Sequence, residues 1–70
     1  MTALVEVSVN GDNRTFPAGA TVEDVVNVLL PSPRGVAVAC NGEVITRGAW
    51  GSTTLAPADR LEVLTAAQGG

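Results

Sequence analysis

Seventy residues, 46% of them apolar, with a net charge of −3, describe one small folded domain near the lower size limit for an unstapled core. One cysteine excludes an intramolecular disulfide, the lack of histidine removes the commonest general base and metal ligand, and the cations are four arginines scattered at 14, 34, 47 and 60. Neither a metal centre nor a nucleic-acid-binding stripe is expected from that set. No apolar run approaches the roughly 20 residues that span a bilayer, and MTALVEVSVNG does not read as a signal peptide. A cytoplasmic protein with no membrane contact is the expectation.

In LVEVSV (4–9), Val5, Val7 and Val9 alternate with Glu6 and Ser8, which predicts a half-buried strand. NGDN (10–13) predicts a tight hairpin, with Arg14 to Phe16 returning antiparallel until Pro17 stops the ladder. The stretch TVEDVVNVLL (21–30) is valine-rich but places Val22, Val25, Val26 and Leu29 at helical spacing. With Thr21 as N-cap, Glu23 and Asp24 in the first turn and Pro31 beyond, it is read as a helix. Val36 to Cys40 is the right length for a central strand, and Asn41-Gly42 turns it into a strand at Glu43 to Ile45. A connecting segment, TRGAWGSTTLAPAD, precedes a last strand at Leu61 to Ala66. The order ββαβββ gives an α+β domain, 1–66, with the helix on one face of a mixed sheet, followed by a flexible Gly-Gly tail, 67–70.

No arrangement of side chains supports intrinsic catalysis. Cys40 has neither a histidine nor a basic cluster near it in sequence and reads as a small buried hydrophobe. Glu23 and Asp24 point apart on a helix, and Glu43, Asp59 and Glu62 read as a solvated surface. Trp50 is expected to pin the connecting segment to the core, and Arg47 reads as a surface charge. Alternation puts Leu61 and Val63 toward the core and Leu64 on the open sheet face, near Ala37 and Ala39. There Leu64 is either an ordinary exposed leucine or the centre of a patch that partners recognise.

A terminal Gly69-Gly70 directly after the final strand of such a domain is a specific feature. Together with TVEDVV, with VACNGEVITRGAW (38–50), which matches an Asn-x-x-Val-x-x-Arg-x-x-Trp pattern, and with DRLEVLTAAQGG (59–70), it resembles the ubiquitin-like β-grasp sulfur carriers of the ThiS/MoaD superfamily, closest to their thiamine branch. Two positions depart from that pattern: Thr46, where many members have proline, and Ala58, where a glycine often precedes the aspartate. The related small subunit of molybdopterin synthase often has proline before its glycines, whereas here the segment is Thr65-Ala66-Ala67-Gln68.

The resemblance implies a β-grasp fold and a co-substrate rather than an enzyme, with no bound cofactor. The Gly70 carboxylate would be adenylated by an activating enzyme that uses ATP. It would then become a thiocarboxylate with sulfur from a cysteine desulfurase, and a thiazole synthase would take that sulfur. Gly69 and Gly70 would form the reactive end, and Leu64, Ala66, Ala67 and Gln68 the partner-binding positions. Carriage for molybdopterin or another pathway, a ubiquitin-like protein modifier, and a plain β-grasp interaction module are the alternatives.

Overall fold

The computed structural model describes residues 3–30 and 34–65. Two strands, β1 (Leu4–Val9) and β2 (Asp12–Pro17), form the first hairpin, and the helix α1 (Val22–Leu29) follows. Next come β3 (Val36–Cys40), β4 (Glu43–Ile45), a 3₁₀ helix at Arg47–Ser52, and β5 (Arg60–Thr65). The five strands make one sheet in the order β2-β1-β5-β3-β4. The β1–β5 pair is parallel and the others antiparallel, so β5, last in sequence, is central in space. The expected mixed sheet with one main helix is what the chain forms.

Both hairpins turn on Asn-Gly because a two-residue loop matching the strand twist needs positive φ at both central positions. Asn10 and Gly11 lie at φ 52° and 88°, and Asn41 and Gly42 at 54° and 85°. Pro17 does not end the first ladder: it pairs with Leu4, and Ala18 N–H donates to Ala3 O one residue further on (3.0 Å). On an edge strand the missing Pro17 N–H faces outward, where no bond is lost.

Thr21 caps α1 as its sequence predicts. Its hydroxyl accepts from Asp24 N–H (3.3 Å), and the Asp24 carboxylate accepts from Thr21 N–H (2.9 Å), a reciprocal capping box. The helix presents Val22, Val25 and Val26 to Val5, Val7, Val9, Val38, Leu61 and Val63 of the sheet. Phe16 of β2 and Ala20 before the helix join this core, and the connecting segment adds two more residues. Its 3₁₀ helix buries Trp50, whose indole N–H donates to Ile45 O (3.1 Å), and Leu55 closes the end of the cluster. Arg47 is not simply a surface charge, since its guanidinium lies over the Trp50 ring at 5.6 Å from the centroid.

Ala58 sits at φ 69°, in the left-handed region. That backbone costs a residue with a Cβ about 1–2 kcal/mol, against roughly 0.5–1 kcal/mol for the extra chain entropy a glycine loses on folding. Ala58→Gly should therefore stabilise the fold by about 0.5–1 kcal/mol and raise Tm by about 4 °C, readable in a thermal melt. An unchanged or lower Tm would mean that the turn is not strained.

Candidate functional site

Alternation along β5 divides its side chains cleanly. Leu61 and Val63 are buried in the core, while Arg60, Glu62 and Leu64 stand on the face that the helix leaves open. Leu64 is 65% exposed, as its sequence position predicts. Ala37 of β3 lies directly opposite it, whereas Ala39 is opposite Glu62 and touches the patch only diagonally. On its other side Ala39 pairs with Val44 of β4, which is 72% exposed. The sequence reading missed Val44, because a strand of three residues shows too little alternation to assign a face.

A shallow depression lined by Gly35, Val36, Ala37, Leu64 and Thr65 lies where β5 ends. Leu64, Ala37, Ala39 and Val44 thus form an apolar strip across the open sheet face, with Glu62 and Arg60 beside it. Such a strip with a charged margin suits a docking surface. The remaining candidate positions, Ala66, Ala67, Gln68, Gly69 and Gly70, lie outside the described residues.

Asp59 is not the solvated charge that its sequence context suggests. Its carboxylate accepts from Ala56 N–H (2.8 Å) and from the Asn41 side-chain amide (3.0 Å). The Asn41 side-chain Oδ1 in turn accepts from Arg60 N–H (2.9 Å), and the Asn41 backbone N–H donates to Arg60 O (2.7 Å). The second Asn-Gly turn therefore anchors the start of β5.

Cys40 packs against the core from a partly buried position at the end of β3. Burial, and after it the Asp59 carboxylate through both its charge and a hydrogen bond, push the thiol above its usual range, with Glu43 adding to the effect. A raised pKa means less thiolate at neutral pH, the opposite of what a persulfide carrier or nucleophile requires. Folding keeps the proton on sulfur, so any stability linked to Cys40 is present at neutral pH and is lost only as pH rises beyond the usual thiol range. If the chain carries sulfur as the resemblance implies, Cys40→Ser should leave that charging at the parent rate, with a stability loss of about 1–2 kcal/mol from the hydroxyl. A folded Cys40→Ser chain that could not be charged would assign the cysteine a direct role.

Among the described residues no helix is long and apolar enough to cross a membrane. The sheet order, with helix α1 packed on one face, defines the ubiquitin-like β-grasp class. Within that class the model of the ThiS family matches residues 7–70, and this chain belongs to that family, small sulfur carriers that work with partner enzymes rather than as catalysts. The crystal structure of the thiamine biosynthesis protein (ThiS) from Geobacter metallireducens is similar, with a TM-score of 0.77 and 30% sequence identity, covering 94% of this chain and 100% of that one. A comparison with curated protein sequences gave no match.

Proposed function

We propose that this protein is a sulfur-carrier co-substrate whose Gly70 carboxylate is adenylated, converted to a thiocarboxylate, and used to supply sulfur to the thiazole ring of thiamine. The observation that supports this reading best is that the family match runs through Gly69 and Gly70. Central strand β5 carries Leu64 on its open face and ends at Thr65, four residues before Gly69.

A carboxylate ionised at neutral pH is a poor acyl donor, because its oxygen is a poor leaving group. On the activating enzyme a Gly70 carboxylate oxygen attacks the α-phosphorus of ATP and pyrophosphate leaves. The resulting acyl-adenylate is attacked by the terminal sulfur of an enzyme persulfide, charged by a cysteine desulfurase, and AMP leaves. A thiol then cleaves the sulfur–sulfur bond and frees the thiocarboxylate. Thiazole synthase takes the sulfur, and Gly70 returns to a carboxylate. ATP is consumed by the partner, and no cofactor belongs to the carrier itself; the cycle would take place in the cytoplasm.

The residues suit this role. Glycines without side chains pass into a narrow channel and accept whatever φ it imposes, and four residues from Ala67 can span at most about 13 Å. With no lysine in the chain, no internal ε-amine can intercept the activated end. Pyrophosphate exchange tests the first step: label should pass from pyrophosphate into ATP only when the carrier and the activating enzyme are both present. No exchange above that of the enzyme alone would contradict the proposal.

A further inference from the structure

We infer that Asn10 is a positioning residue for sulfur transfer, its side-chain amide acting as a substitute peptide that holds the last part of β5 in place after β1 has turned away. This rests on the carrier reading of Gly70. In the parallel β1–β5 ladder, Ser8 N–H donates to Asp59 O (2.9 Å) and Asn10 N–H to Leu61 O (2.9 Å). A regular parallel ladder would continue at Val63, its N–H donating to the backbone O of Asn10 and its O accepting from the backbone N–H two residues later. The chain cannot supply it, because Asn10 lies at φ 52° and β1 has entered its hairpin.

The side chain takes over. Val63 N–H donates to Asn10 Oδ1 (2.9 Å), and Asn10 Nδ2 donates to Val63 O (3.2 Å). One amide satisfies both backbone groups of Val63 on the β1 side. Asparagine suits this position twice over, since it tolerates the left-handed backbone and also presents a donor and an acceptor in one plane.

The location gives this contact its consequence. Val63 directly precedes Leu64, which forms the β5 end of the apolar strip, and β5 ends at Thr65. On the β3 side that part of β5 is paired as far as Thr65, opposite Val36. On the β1 side the Asn10 amide is the support that extends beyond Leu61. It therefore fixes the last part of β5, from Val63 to Thr65, and with it Leu64. The second turn asparagine, Asn41, bonds to Asp59 and Arg60 at the other end of β5 and serves as an internal comparison.

The test uses the full chain as Asn10→Gly and, in parallel, Asn41→Gly. Glycine keeps the positive φ of each turn and removes only the side chain. Loss of two hydrogen bonds should speed amide exchange at Val63 by about tenfold in Asn10→Gly. In pyrophosphate exchange with the activating enzyme, the same variant should raise KM for the carrier several-fold with kcat near the parent value. Asn41→Gly should lower Tm yet leave that KM unchanged. If Asn10→Gly does not fold, Asn10→Asp keeps the acceptor, removes the donor to Val63 O, and should show the same rise in KM.

Faster Val63 exchange with a parent KM would overturn the positioning role, and parent-like Val63 exchange would overturn the amide contact itself. An equal rise in KM for Asn41→Gly would reduce the effect to general destabilisation. A parent chain that supports no pyrophosphate exchange would sink the carrier reading and the transfer role with it, while Val63 exchange would still decide whether Asn10 holds the strand.

Discussion

Deleting Gly70, or adding one alanine after it, should abolish adenylation and leave the melting temperature unchanged. The fold is indifferent to the change because the described core, from Val5 to Val63, is complete before the last five residues begin. The chemistry is not. Deletion draws the carboxylate back by roughly 3.5 Å, and addition puts a methyl-bearing residue where the proposed activating site would receive glycine. A displacement of about 1 Å at a reacting centre can cost on the order of a hundredfold in rate. Pyrophosphate exchange and a thermal melt on each variant separate the two effects. Parent-rate exchange by both folded variants would remove Gly70 from the mechanism.

Leu64→Glu should weaken binding to the activating enzyme and to thiazole synthase by on the order of a hundredfold, with little change in stability. The side chain is already 65% exposed, so the folded monomer loses little contact when it changes. Burying a leucine at an interface is worth about 1.5–3 kcal/mol, and burying a carboxylate there without a partner costs more. Glu62 on the same strand and face would add repulsion against any acidic neighbour. Titrations with each enzyme and a melt of the variant check this. Parent affinity for both would place docking away from the strip formed with Ala37 and Val44, whereas loss for one alone would show that the two partners use different surfaces.

What the sequence disclosed follows from how local each signal is. Alternating valines place β1, and both Asn-Gly pairs announce their hairpins through backbone requirements confined to two residues. Thr21 and the helical spacing of Val22, Val25 and Val26 outweigh valine's preference for strands, because a cap and a buried face favour the helix together. The 3₁₀ helix at Arg47–Ser52 had no such marker, since six residues containing Gly48 and Gly51 show no helical period. Leu55 joins the core through long-range packing that no neighbouring residue predicts.

The same distinction applies to the site. Leu64 was legible because alternation continues along β5, but Val44 was not, because β4 is too short. The bonds from Asn10 to Val63 and from Asn41 to Asp59 join residues far apart in sequence, so each asparagine read only as a turn former. Ala58 was visible as a departure from a glycine pattern, and its φ of 69° supplies the physical reason for that pattern.

The most direct measurement of the central claim is the intact mass of the protein after incubation with the activating enzyme, ATP, a cysteine desulfurase and cysteine. The account predicts a gain equal to the replacement of one oxygen by sulfur, located by fragmentation at Gly70 and retained in Cys40→Ser. A mass that stays at the parent value, or a shift found on Cys40 or in conjugates to other proteins, would contradict it.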